Sequence, residues 1–328
     1  MLCPPLALLA LTLPGETAAV CRPADHAPAG VMDLSCPMDQ AWMVSLTTSH
    51  TRFQDMQENT RHVSLADVLA QGYAHAPESM DMTMLMLDVM FSPAETLTLH
   101  ASLPWISNSM DMRTNLGEKF SMDSSGLGDA QLGADVVVWE LDEQRVSTGI
   151  SVGLPTGSIT EKGGMPGTAP TQLEYAMQLG SGTYDLSGRL DYRARSEPYS
   201  YGVGLAGTTR TGHNSQDYAL GDRFEGTAWG AQEWSSFWSA SVRVTAERWA
   251  NVRGADPDLD PAMSPTQDPK KQGGARFDAA LGVNWTPFHG GLSGSVIGFE
   301  LGMPLAQDLD GPQLTEDWFA TLRVGLSF

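Results

Sequence analysis

From Thr96 to Ile106 the chain reads TLTLHASLPWI, and its apolar residues fall on every second position. Leu97, Leu99, Ala101, Leu103 and Trp105 share one parity, while Thr98, His100 and Ser102 share the other. A period of two belongs to an extended strand with two unlike faces; a helix repeats every 3.6 residues and cannot present it. The same alternation organises RVSTGISVGL, GTYDLSGRLDYRA and EDWFATLRVGLSF. Twelve such segments span roughly 40–49, 79–91, 96–106, 128–140, 145–155, 180–194, 199–210, 218–231, 236–249, 274–286, 294–303 and 316–328.

The connections alternate as well. Those at 50–78, 107–127, 156–179, 250–273 and 304–315 are long, and 211–217 is intermediate. Those at 92–95, 141–144, 195–198, 232–235 and 287–293 are short. An even number of antiparallel strands, with tight turns at one end and long loops at the other, predicts an all-β fold. The expected architecture is a closed up-and-down transmembrane β-barrel of about twelve strands in the bacterial outer membrane, occupying 40–328. Its turns and both termini would lie on the periplasmic side. A soluble sandwich also alternates. Here, however, the polar parity is rich in Gly, Ser and opposed charges and carries no lysine: Lys119, Lys162, Lys270 and Lys271 all fall in the long connections. Trp42, Trp105, Tyr199, Tyr201, Trp285, Trp318 and Phe328 sit at segment ends, as the aromatic girdles of a membrane barrel do. The terminal Phe328 closes an amphipathic strand and so resembles the assembly signal of outer-membrane barrels, which makes the barrel assembly machinery an expected partner. Outer-membrane lipid and a small solute are the other expected partners.

With 39 acids against 19 bases, the chain excludes nucleic acid as a partner. Its longest apolar run, Leu6–Leu13, precedes small residues at Thr17 and Ala19, so residues 1–19 are read as a signal peptide and 20–39 as an N-terminal periplasmic segment. Cys21 and Cys36 could pair in an oxidising compartment or stay free. Within 50–78, Ser64 is a possible N-cap for a short helix with Leu65, Val68 and Leu69 on one face, folded into the mouth or lying on the rim. One segment resists: the outward parity of 218–231 includes Asp222, which belongs either above the membrane or beyond a bulge.

The inward parity gives candidate lumen residues: Asp88, Asp129, Asp135, Asp185, Arg189, Asp191, Arg193, Arg243, Glu247, Arg276, Asp278, Glu300 and Arg323. Opposed charges in a confined lumen select solutes, or simply brace the wall. Met80, Met82, Met84, Met86 and Met90 occupy the inward parity of 79–91, with Asp88 between the last two. The short turn SPAE places His100 on the same face, nearly opposite Asp88. Met110 and Met112, in an outer loop, could extend the row. Thioethers suit Cu(I), so these eight residues form a candidate soft-metal wall. The alternative is flexible packing of methionine against a luminal helix such as 64–72. No cofactor and no enzymatic activity are expected, since no nucleophile comes with oxyanion donors.

The pieces SSGLGDAQLGA (124–134), SVGLPTGS (151–158), QLGSGTYD (178–185) and LGMPLAQDLDGPQL (301–314) resemble the outer-membrane transporter-like family named after a phenol-degradation meta pathway. The methionine-rich first third resembles a subgroup associated with copper-handling genes. This resemblance implies a β-barrel with a transport role. The expectation is a channel passing small solutes passively, copper among the possible ions, or alternatively a plugged metal-binding or structural barrel without conductance.

Overall fold

The computed structural model describes residues 26–31, 41–164, 169–287 and 294–328. The expected signal peptide, Cys21 and Cys36 lie outside the described residues. Twelve extended elements build the wall: β1 (Ala41–Asn59), β2 (His75–Ala94), β3 (Leu97–Thr114), β4 (Lys119–Leu127), β5 (Ala130–Leu141), β6 (Gln144–Leu154), β7 (Tyr184–Ser196), β8 (Tyr199–Thr211), β9 (Arg223–Ser235), β10 (Trp238–Trp249), β11 (Gly274–Trp285) and β12 (Ser295–Ser327). Each pairs antiparallel with its sequence neighbours, except that β4 and β5 share one stave, pairing with the upper and lower parts of β3. The 33-residue β12 supplies two staves. Its residues 297–309 rise along β11, and 309–327 return along β1. That last pairing closes the sheet around the barrel, so the membrane-spanning strands carry their hydrogen bonds in ladders, as a medium without water demands.

The outward face is apolar where lipid would meet it. Leu46, Leu87, Leu99, Leu132, Ile150, Leu190, Leu205, Leu281, Leu301 and Leu322 are all exposed. A continuous belt of this kind would drive aggregation in water, whereas in a bilayer it is the solvent-matched surface. Aromatics border it at the short-turn end, where Trp42 stacks on Phe91 at 4.6 Å and Trp238 lies 6.2 Å from Trp285. Trp105 and Trp318 mark the other border. Two-residue turns join β2 to β3, β5 to β6, β7 to β8 and β9 to β10, which fixes that end as periplasmic.

Inside, bulky side chains lie over glycines on the next strand. His100 faces Gly133, Asp135 faces Gly149, and Trp229 faces Gly202. A Cβ on Gly202 would stand 2.7 Å from the Trp229 ring. The glycine-rich inward parity is therefore the other half of a filled interior.

Three expectations are corrected. First, β1, β2 and β3 contain 19, 20 and 18 residues, although about 9–11 suffice to cross a bilayer. Most of 107–127, expected as a loop, is strand: β3 runs to Thr114 and β4 returns from Lys119. These elements stand above the membrane as a tall wall. Second, the segment expected at 218–231 begins at Arg223. Tyr218–Ala219 is instead a separate short ladder with Arg253–Gly254, and Asp222 lies above the strand, accepting from Thr209 Oγ1 at 3.0 Å. Third, part of the expected periplasmic segment 20–39 is inside the barrel, as described below. The short helix is present: α1 (Leu65–Ala70), capped by Ser64, packs Val68 against Met56, Val63 and Tyr73.

Candidate functional site: the lumen

A cavity of about 390 Å³ occupies one half of the lumen, between β1 and β2 on one side and β9 to β12 on the other. Its two walls differ in chemistry. The first presents Met43, Ser45, Thr47, Ser49, Met84, Met86, Asp88 and Met90. The second presents Arg223, Glu225, Arg243, Glu247, Arg276, Asp278, Glu316 and Arg323.

The charged wall is a set of ion pairs. Arg243 engages Glu300, which is fully buried, through Nε at 2.9 Å and through Nη2. Arg276 reaches Asp278 at 2.9 Å, Glu247 at 3.3 Å and also Glu316, while Arg223 contacts Glu247. Glu316 was not in the expected set. A bulge at Asp317, where Arg52 pairs with Trp318 and Phe53 with Glu316, turns Glu316 to the cavity. Parity counted from the C-terminus fails at that residue.

Residues 26–31 lie in the periplasmic half of the same space. Arg323 donates to the carbonyls of Val31 and Ala27 at 2.7 Å each, and Asn284 Nδ2 donates to His26 at 3.1 Å. The Gly30 amide donates to Glu300 at 3.3 Å, and Ala27 packs on Trp229 and Ala231. Backbone carbonyls thus accept from buried side-chain donors of the wall, Arg323 and Asn284. This need was invisible to residue parity, which reads strands and not the chain threaded between them.

The opposite half of the barrel is filled. His100 Nδ1 and Asp135 are 2.9 Å apart, and Arg189 joins Asp135 and, at 3.9 Å, Asp191. Asp185 pairs with Arg210 at 3.5 Å, and Arg193 lies 6.0 Å from the centre of the Trp229 ring. Asp88 does not meet His100 as expected. The turn sets Asp88 opposite Ser102, which donates to it at 2.5 Å, and sets His100 opposite Met90. The difference is a two-residue offset in register.

The candidate metal residues divide into three groups. Met84, Met86 and Met90 line the cavity. Met80, Met110 and Met112 are buried higher up, with Phe120, Met122, Leu173 and Met177, and Met82 packs against them. Met110 and Met112 are strand residues of β3 and not loop residues. His100 stands apart in its bond to Asp135. The upper thioethers pack beneath the 155–183 connection, through Leu173 and Met177; α1, the expected packing partner, has a core of its own.

That connection is part of a lid. Tyr175 meets Tyr218 edge-on at 5.0 Å, with Val252 and Leu259 beside them. Burial pushes the Tyr218 phenol well above its usual range. Asp129, expected in the lumen, keeps its inward parity but serves as a clamp. Its carboxylate accepts from the Gly157 amide at 2.8 Å and from the Ser181 amide and hydroxyl at 2.7 and 2.8 Å. Thr156 Oγ1 donates to Gly128 O at 2.9 Å and accepts from Ala130 N at 2.8 Å. Three sequence pieces distant along the chain thus converge on one junction.

A closed barrel with a lipid-facing belt, aromatic borders and a charged interior defines a bacterial outer-membrane β-barrel protein. The chain belongs to the family described as "Putative MetA-pathway of phenol degradation", whose model matches residues 71–286. Among solved structures, it is similar to an outer membrane channel from Pseudomonas putida F1, with 14% identity and a TM-score of 0.61 over 89% of this chain and 96% of that one. It is also similar to the beta domain of the Bordetella autotransporter BrkA, with 10% identity and a TM-score of 0.49 over 88% of this chain and 100% of that one. No curated protein matches the sequence.

Proposed function

We propose that this protein is a narrow outer-membrane channel through which small polar solutes pass passively. The observation that carries this reading is the cavity of about 390 Å³ enclosed by the barrel and lined by hydroxyl, carboxylate and guanidinium groups. Twelve staves fall between barrels filled by their own side chains and those with a wide aqueous bore, so a partial cavity is the expected interior. The solved channel from Pseudomonas putida F1 supports the same reading by fold. Single-channel recording in planar bilayers tests it: discrete current steps are expected. Folded protein that inserts and never conducts would replace this reading with that of a plugged structural barrel, which the position of residues 26–31 favours.

A second reading is favoured by the four thioethers of Met43, Met84, Met86 and Met90 on one cavity wall. Soft monovalent ions such as Cu(I) accept thioether ligands, whereas hard cations do not. On that reading the solute, or one of them, is a soft metal ion moving past this wall. Phe328, whose backbone pairs with Trp42 at 2.8 and 2.9 Å, serves on either reading as the strand end presented to the assembly machinery.

A further inference from the structure

The ion pairs of the charged wall do not balance. Glu247, Asp278 and Glu316 are each about 95% buried and share Arg276, and among the described residues the other guanidinium paired with them is Arg223, which contacts Glu247 and whose charge also reaches Glu316. Three carboxylates thus face two arginines. The surplus shows in the hydrogen bonding. Asp278 Oδ1 and Glu316 Oε1 are buried and accept no hydrogen bond, although both residues line the cavity. A buried carboxylate oxygen with no donor is costly, and a compensating positive charge relieves it. The nearby Arg243 cannot supply that charge, because it is committed to Glu300. Opposite this wall, Asp88 accepts from the hydroxyls of Ser45 and Ser102.

From this imbalance we infer that the lumen cavity is a binding site for a singly charged cation, held by Asp278 and Glu316 beside Arg276. A multivalent metal ion is disfavoured: it needs several anionic ligands in a rigid shell, and among the described residues no three His, Cys, Asp or Glu side chains come together to hold one. A monovalent ion or a primary ammonium needs only a few oxygens and tolerates the neighbouring guanidinium. If the barrel conducts, the site makes it cation-selective; that consequence rests on the channel reading, whereas the site itself does not.

Two measurements separate the two claims. In planar bilayers under a tenfold KCl gradient, the wild-type reversal potential should lie on the potassium side. In the Asp278→Asn/Glu316→Gln double variant it should move toward zero. A wild-type potential at zero or on the chloride side overturns the inference. Sodium-23 relaxation of the detergent-solubilised barrel needs no conduction. Excess relaxation in the wild type that falls at least severalfold in the double variant supports the site even if no current is ever seen, in which case only the channel reading falls. Equal relaxation in both proteins means that the carboxylates share a proton and hold no cation, and overturns the inference. Folding of the variant is read from its heat-modifiable electrophoretic mobility. Should the double variant fail to fold, Glu316→Gln alone, which keeps Arg276 paired with Asp278 and Glu247, gives the same comparison.

Discussion

At the scale of single residues, Asp129 links the sequence motifs to the architecture. It sits in the break between β4 and β5, and it holds both ends of the 155–183 connection through Gly157 and Ser181. The glycines around it are required by close approach: a Cβ on Gly157 would stand 2.7 Å from the Gly180 Cα. Hydrogen bonds to a charged acceptor contribute about 1.5–3 kcal/mol each, so Asp129→Ala removes most of what fastens the connection to the wall. The barrel ladders do not pass through this side chain, and global unfolding should shift little. The expected outcome is local: tryptic cleavage after the exposed Lys162 should quicken tenfold or more while the barrel core stays resistant. Cleavage at the wild-type rate would show that the lid is held by its apolar contacts instead.

At the scale of the element, β3 shows why part of the fold was legible and part was not. Up to Trp105 its outward residues are Leu97, Leu99, Leu103 and Trp105, and the apolar-outward rule finds the strand at once. Beyond Trp105 the outward residues become Ser107, Ser109, Asp111 and Arg113, while Met110 and Met112 turn inward. The backbone period is unbroken, but the solvent outside has changed from hydrocarbon to water and the inside has become a packed core under the lid. A polarity rule tuned to lipid therefore stops at the interface and mistakes the rest for loop. The same inversion separates the methionines of β2, which look equivalent in sequence. Met80 lies in the packed core, whereas Met84, Met86 and Met90 face the cavity. On the soft-metal reading proposed above, the contact therefore falls to the lower part of the row. With Met82, Met84 and Met86 all changed to Leu, Cu(I) affinity measured against a competing chelator should fall at least tenfold, because two cavity thioethers are lost while near-equal volume preserves the packing. Unchanged affinity would reduce the row to a packing device.

At the scale of the whole molecule, the barrel interior is narrowed from two directions by different physics. At the outer end the 155–183 and 250–273 connections bury Tyr175, Val252 and Leu259 together with Tyr218, with the Asp256 amide bound to the Tyr175 hydroxyl at 3.1 Å. At the periplasmic end the narrowing includes residues 26–31, held mainly through their own backbone by Arg323, Asn284 and Glu300. The lid draws on apolar burial, which is cooperative. The plug draws on a few hydrogen bonds, which a deletion can remove without touching the wall, since no ladder of the barrel includes residues 26–31. It was illegible in the sequence because a chain threaded through a lumen needs no periodicity; it needs only backbone carbonyls within reach of wall donors such as Arg323 and Asn284. Deleting 26–31 should therefore raise the unitary conductance severalfold in planar bilayers, with the folded, heat-modifiable form retained. Arg323→Ala should raise it less, because the Asn284 and Glu300 contacts remain. If deletion and wild type conduct alike, the limiting constriction lies at the outer lid, and opening that lid through Asp129→Ala becomes the change that widens the path.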